Sequence, residues 1–152
     1  MRYVEAPLRY DGPGPSLFLA GGISGCPDWQ ADAVGLLRDT PGLTVLNPRR
    51  AAFDETAAAE QIAWEFAHLR RADVVLFWFA AGGSVQPITL YELGVHVTRG
   101  TTLVVGADPG YPRRLDVEVQ LGLARPGLPV FSGLAETVAR AQAEVMSGVH
   151  PR

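Results

Sequence analysis

Short unbroken apolar runs alternate along this chain with longer stretches in which apolar residues recur every three or four positions. The runs Leu17-Phe18-Leu19-Ala20, Leu43-Thr44-Val45-Leu46, the segment 72–79, Leu103-Val104-Val105-Gly106 and Leu128-Pro129-Val130-Phe131 predict five strands. The third of these, Ala72-Asp73-Val74-Val75-Leu76-Phe77-Trp78-Phe79, is apolar almost throughout. That marks a central strand buried on both faces. Between the runs, helical spacing predicts helices over 27–38, 57–70, 87–99, 116–123 and 134–146. In the second, Ile62, Phe66 and Leu69 recur at spacings of four and three, and the third has Pro87 in its first turn, where a missing N–H costs nothing. Strand–helix alternation implies a parallel sheet covered by helices on both faces, joined by right-handed crossovers. The expected architecture is therefore α/β, a three-layer sandwich with a five-stranded parallel sheet of flavodoxin-like or Rossmann-like kind.

The breaker cluster Asp11-Gly12-Pro13-Gly14-Pro15 sets off an N-terminal arm, 1–16, from a single domain over 17–146, with a frayed tail at 147–152. No internal repeat and no low-complexity segment is visible. The 152 residues suit one core, and 47% hydrophobic with 19% charged residues suits a compact chain rather than a disordered one. A net charge of −3 gives the whole molecule no attraction to nucleic acid or anionic lipid, although pairs of Arg leave local anion sites open. Cys26 is the single cysteine, so no disulfide forms within the chain, as in a reducing cytosol. The first 15 residues lack the pattern of a secretory signal, and no apolar run approaches the ~20 residues of a membrane span. A cytoplasmic protein is expected.

Chemistry concentrates around Glu92, in Pro87-Ile88-Thr89-Leu90-Tyr91-Glu92-Leu93-Gly94. The segment follows the central strand and a Gly-rich turn, at the sheet edge where open α/β folds bind ligands. The first loop, Gly21-Gly22-Ile23-Ser24-Gly25, lies between strand and helix. Its spacing is not that of a dinucleotide fingerprint, and the second strand ends in Asn47-Pro48-Arg49-Arg50 rather than in an acid for a ribose hydroxyl. The loop reads as close approach of backbone to a sugar or base. Cys26 at the following helix start has no His beside it in sequence and reads as structural. Glu65 lies on the second helix and Asp73 at the start of the central strand, where it suits a structural role with loop N–H groups or Arg71. Glu65-x-x-His68 is half of a di-metal carboxylate signature with no second half, so no metal is expected. His96, four residues after Glu92, is placed to pair with it across a helix turn.

These segments resemble the nucleoside 2-deoxyribosyltransferase superfamily, particularly its deoxyribosyltransferase-like bacterial branch. Four segments carry the resemblance: Leu17 to Ile23, Asn47-Pro48-Arg49-Arg50, the helix–strand join from Glu65 to Phe79, and Thr89-Leu90-Tyr91-Glu92-Leu93-Gly94. Tyr111-Pro112-Arg113-Arg114-Leu115-Asp116-Val117 is similar to a branch-specific segment. The resemblance implies retaining glycosyl transfer, in which the Glu of x-x-Glu-Leu-Gly, here Glu92, attacks the anomeric carbon of a nucleoside and the base departs. Such cleavage passes through an oxocarbenium-like state that a carboxylate stabilises, and the leaving base needs a proton. The family carries an Asp eight residues ahead of the acid that opens its third strand. Counted back from Asp73, that position is Glu65, the implied acid/base. An Asp that orients the nucleophile, six residues before it, is replaced here by Gln86, which holds a hydrogen bond but supplies no charge. No match is found to the C-terminal Asn by which family members reach a neighbouring subunit's sugar.

The expected site thus comprises Glu92, Glu65 and Gln86 for chemistry, with Phe18, Gly21, Gly22, Ile23, Asn47, Arg49, Arg50, Thr89 and Tyr111 for substrate. Arg49 and Arg50, with Arg113 and Arg114, suit a 5′-phosphate; Phe18 and Tyr111 suit stacking on a base, whereas Trp64 and Trp78 read as core. The function read from this set is base exchange or hydrolysis at the N-glycosidic bond of a (deoxy)nucleoside or nucleoside 5′-phosphate. The alternatives are a non-catalytic nucleotide-binding module, favoured by Gln86, and an NAD glycohydrolase using the Arg pairs for the diphosphate. No cofactor is expected. The resemblance further implies a homo-oligomer.

Overall fold

The computed structural model describes residues 1–52 and 55–148. Within them the apolar runs become six strands: β1 (Arg2–Glu5), β2 (Ser16–Gly21), β3 (Thr44–Asn47), β4 (Val74–Phe79), β5 (Leu103–Ala107) and β6 (Val130–Phe131). They form one sheet in the order β1-β3-β2-β4-β5-β6, and every neighbouring pair is parallel. The helices are α1 (Trp29–Leu37), α2 (Ala58–Arg71), α3 (Pro87–Thr98), α4 (Arg114–Ala124) and α5 (Leu134–Ser147). The expected α/β sandwich is present, with six strands in place of five. Without β1 the strand order is that of the flavodoxin-like fold.

The additional strand comes from the N-terminal arm. Arg2-Tyr3-Val4-Glu5 buries only Val4 fully, so its pattern carries little strand signal. It pairs with β3 from Arg2↔Thr44 to Glu5↔Asn47. Beyond it the arm crosses α2: the Tyr10 N–H donates to His68 Nε2 at 3.1 Å, and Trp64 Nε1 donates to Leu8 O at 2.8 Å. His68 Nδ1 lies 2.7 Å from Trp64 O, so both ring nitrogens serve this junction and Nδ1 carries the proton. At the other terminus, helix α5 includes Ser147, and 149–152 lie outside the described residues.

Side chains alternate between the two sheet faces, as strand geometry requires. Leu17, Leu19, Val45, Leu76, Trp78 and Val104 pack with α1 and α5. Phe18, Ala20, Leu46, Val75, Phe77 and Val105 pack on the opposite side with Trp64, Leu69, Leu93, Val117 and Leu121 of α2, α3 and α4. Trp64 and Trp78 are core, as expected from their surroundings. The apolar stripe read on the second helix is split by the structure. Leu69 is buried, but Ile62 and Phe66 are 66% and 62% exposed. The inward face is instead Gln61, Trp64, His68 and Leu69, because α2 packs through a mixed polar–aromatic seam against the arm and the loop after β3.

Asp73 fastens the start of the central strand. Its Oδ2 accepts from the Ser16 N–H at 2.8 Å and from Ser16 Oγ at 2.7 Å. This is the structural role expected of it, with Ser16 rather than Arg71 as partner. Replacing Asp73 with Ala leaves the Ser16 groups without their acceptor beside the β2–β4 ladder. The expected loss is about 1–3 kcal/mol of stability, read as a lower urea midpoint with unchanged m value.

Candidate active site

The chain passes from β2 outward to β3, then returns across β2 to β4. The loops leaving β2 and β4 therefore part in opposite directions, and the crevice between their carboxyl ends is the topological switch point. The register places Gly21 beside Trp78 at that edge. A cavity of about 490 Å³ opens here and continues between α2 and α3. Phe18, Ala20, Gly21 and Gly22 line it from the β2 side; α2 contributes Glu65, Phe66 and Arg70, and α3 contributes Thr89, Glu92 and His96.

The two loops are joined by one side chain. Gln86 Oε1 accepts from the Gly22 N–H at 2.9 Å, and Gln86 Nε2 donates to Ala80 O at 2.9 Å. Gln86 is 3% exposed and sits just before α3 in the left-handed region, at φ 49°. Few residues other than Gly occupy that region, so the position is held by its surroundings. Both ends of its amide bond to backbone, not to Glu92. Gly22 must lack a side chain, since a Cβ there would meet Cys26 Sγ and the Gln86 amide group. A Cβ on Gly21 would meet Trp78 O and the Trp29 ring. The close approach expected of this loop is thus made to the protein itself. Trp29 Nε1 adds a bond to Gly22 O at 3.1 Å.

Glu92 and Glu65 face one another across the groove from different helices, both lining the cavity. Glu92 has neither hydrogen bond nor ion pair among the described residues, yet it is half-buried. Burial, and secondarily the negative charge of Glu65, push its carboxyl up to about 8. Burial also raises Glu65, opposed by its hydrogen bond from Gln61 and by the charge of Arg50. Gln61 Nε2 donates to Glu65 Oε1 at 2.7 Å and to Pro48 O at 2.7 Å, while Arg50 Nε donates to Gln61 Oε1 at 2.6 Å.

Of the residues expected from sequence, Phe18, Gly21, Gly22, Ile23, Glu65, Gln86, Thr89 and Glu92 line this single cavity. Asn47, Arg49, Arg50 and Tyr111 do not. Asn47 Nδ2 bonds Tyr3 Oη, and Tyr111 is buried against Phe79 with its hydroxyl donating to Val85 O at 2.7 Å. Arg49 donates to Pro27 O and Gln30 Oε1 and pairs with Asp28, pinning the start of α1. Arg50 pairs with Glu60 at 3.0 Å besides Gln61. Arg113 pairs with Asp116, and Arg114 with Glu118 and Ser132. His96 does not pair with Glu92; its Nδ1 lies 3.0 Å from Thr101 Oγ1. Cys26 has its thiol raised by burial, as suits a structural cysteine. Among the described residues, no three His, Cys, Asp or Glu side chains gather as metal ligands, and no helix is long and apolar enough to cross a membrane.

Gln61, Ser24, Ser84, Arg70 and the rim residues Ile62 and Ile88 also belong to the site or its support, and sequence reasoning missed them. A signal existed for Gln61, which precedes Glu65 by one helical turn.

Residues 14–111, well over half of the chain, match the family described as nucleoside 2-deoxyribosyltransferase like. The chain belongs to that family. No curated protein matches it. Among solved structures it is similar to a conserved protein from Enterococcus faecalis, at 13% identity and a TM-score of 0.55, covering 84% of this chain and 99% of that one. At that identity the likeness supports the α/β fold alone. The family match spans β2 to the end of β5, the part of the sheet that builds the crevice, and so includes both acids.

The raised Glu92 carboxyl has a measurable consequence for stability. Its folded value of about 8 exceeds its unfolded value, so folding favours the protonated form. The penalty of holding it charged is absent below the ordinary carboxyl range and grows until pH passes about 8. Glu92→Gln is therefore expected to leave the melting temperature near that of the native chain at pH 4.5 and to raise it by at least about 5 °C at pH 9. Equal melting curves at both pH values would contradict the burial of this acid.

Proposed function

We propose that the protein cleaves the N-glycosidic bond of a (deoxy)nucleoside or nucleoside 5′-phosphate through a glycosyl ester on Glu92, passing the sugar to a second base or to water. The observation that carries this reading is that Glu92 and Glu65 share one largely apolar cavity at the sheet's switch point. Attack by the Glu92 carboxylate on the anomeric carbon forms the ester bond as the bond to the base nitrogen breaks. Glu65, on the facing helix, gives its proton to the departing base and later removes one from the incoming base or water. The apolar walls strengthen the attraction between an ionised Glu92 and the developing oxocarbenium charge. The family match supports the reaction class; the choice of base, the sugar and the acceptor are further proposals.

The Arg pairs lend no support to a diphosphate substrate, because all four guanidinium groups have protein partners. One observation favours a second reading, a binding module without chemistry: the Gln86 amide is consumed by Gly22 and Ala80 and does not orient Glu92. In that case nucleosides raise the melting temperature while prolonged incubation releases no free base.

The homo-oligomer implied by the resemblance has a suitable surface at the cavity mouth. Ile62 and Phe66 on α2 and Ile88 and Tyr91 on α3 are exposed apolar residues flanking the opening. A second copy seated there would cover the rim and exclude water from the acids.

The decisive assay separates free base by chromatography from a panel of nucleosides and 5′-nucleotides, with and without an acceptor base. Glu92→Gln is expected to abolish base release, by at least about 10³-fold, while the protein remains folded; unchanged release would remove Glu92 from the mechanism. With the native protein, kcat/KM should fall about tenfold per pH unit above about pH 8, where the second proton leaves the pair and none remains for the departing base. In Glu65→Gln the residual activity should instead rise with pH and level off below about pH 8, since one of the two causes holding Glu92 protonated is gone. Burial remains, so the limb should stay above the ordinary carboxyl range.

A further inference from the structure

The hydrogen bonds behind Glu65 run in one direction. Arg50 Nε donates to Gln61 Oε1 at 2.6 Å, and Gln61 Nε2 donates to Glu65 Oε1 at 2.7 Å. A guanidinium at the carbonyl end of an amide polarises it, so its N–H groups become stronger donors. The Arg50 side chain is 8% exposed, which keeps its charge from being screened before it reaches the amide. Gln61 is itself buried and is held in this orientation by a third bond, from Nε2 to Pro48 O at 2.7 Å. Were the amide flipped, its NH₂ would face a guanidinium and its oxygen a carboxylate and a carbonyl, so the orientation is unambiguous.

We propose that Gln61 is a positioning residue that delivers the Arg50 charge to Glu65, and that this chain decides which of the two facing acids is ionised in the free protein. Two carboxylates in one apolar groove do not both ionise near neutral pH. Glu65 receives a charge-assisted hydrogen bond, whereas Glu92 has no partner among the described residues. The negative charge therefore resides on Glu65 and the proton on Glu92. Among the described residues, the other charged or titratable groups at the cavity are Arg70, whose guanidinium lies over the Phe66 ring at 4.9 Å, His96, tied to Thr101, and the exposed Tyr91 at the rim. Glu60 faces Arg50 from the solvent side. The β2 side contributes no titratable group to the lining.

This inference rests on the reading of the two acids given above and adds a requirement to it. The free protein holds the pair in the protonation state opposite to the one needed for attack. A proton must leave Glu92 and one must be present on Glu65 before the base can depart. The transfer is an exchange within the pair, with no net gain or loss, so substrate binding can drive it by weakening the hold of Gln61 on Glu65. Arg50, expected from sequence to meet a phosphate, acts here on the acid/base through an uncharged intermediary.

The test reads the free protein and needs no turnover. With ¹³C-labelled Glu carboxyls, the signals of Glu65 and Glu92 are followed by NMR from pH 3 to 10. In the native chain the lower of the two titration steps is expected on the Glu65 carbon and the upper on Glu92. In Gln61→Met the Glu65 midpoint should rise by at least about one unit and the Glu92 midpoint should fall. Arg50→Gln, which retains Gln61, should move Glu65 in the same direction by less, and should add nothing further in the Gln61→Met background. If the lower step belongs to Glu92 in the native chain, or if both single variants leave Glu65 unmoved, the proposal is overturned. Should Gln61→Met fail to fold, Arg50→Gln alone decides, with a shift below about 0.3 units counting against the relay. Failure of the glycosidic reading would show in the base-release assay and leave this titration order intact.

Discussion

One neutral amide holds the crevice in shape. Gln86 must accept from Gly22 and donate to Ala80 at the same time, and only a side chain with both functions can do so. An ionised Asp in its place could take the Gly22 N–H but would set a negative charge against the Ala80 carbonyl. Gln86, where the resemblance implies an Asp, thus has a structural logic in this chain. It exchanges an orienting charge for a clamp between the loops that leave β2 and β4. It also keeps a third carboxyl group out of a cavity that already contains Glu65 and Glu92. The strained backbone at Gln86 and the bare Gly22 opposite are two sides of the same constraint, since the amide occupies the space a Cβ would need.

The acids then acquire their properties from unequal surroundings. Burial raises both, but Glu65 has a hydrogen-bonded route to a cation and Glu92 has none among the described residues. Their surroundings differ because α2 and the loop after β3 meet behind one acid, while the other has no hydrogen-bonding side chain among the described residues. Arginines that look in sequence like an anion site are drawn inward: Arg49 onto the start of α1, Arg50 onto Gln61 and Glu60, Arg113 and Arg114 onto α4. A guanidinium is more stable with such fixed partners than as a free charge at the mouth of an apolar groove.

That groove lies between α2 and α3, which pack on the same sheet face. The outward turn of α2 leaves Ile62 and Phe66 on the surface and gives its inner face to Trp64, His68 and the arm. Apolar residues at the rim and carboxylates within suit a site that must close against water before it reacts.

Much of the architecture was legible from the chain. The apolar runs at 17–20, 43–46 and 72–79 could only be buried strands, and the helices between them dictated a parallel, doubly covered sheet. The motif around Glu92 placed the first acid at the carboxyl edge, and counting back from Asp73 found the second. These features are local, because strand and helix periods and the β–α order appear within a few residues of sequence. Strand β1 was not legible, since a two-sided edge strand with one buried side chain has no period to read. Nor were the partners of Gln86, Gln61 and the arginines. Hydrogen bonds across 64 residues, as from Gly22 to Gln86, depend on how the sheet brings distant loops together. Sequence by itself determined which chemical groups sit near the crevice; tertiary structure decided which are clamps, which are charged and which face the cavity, because burial and partner choice exist only once the helices have packed.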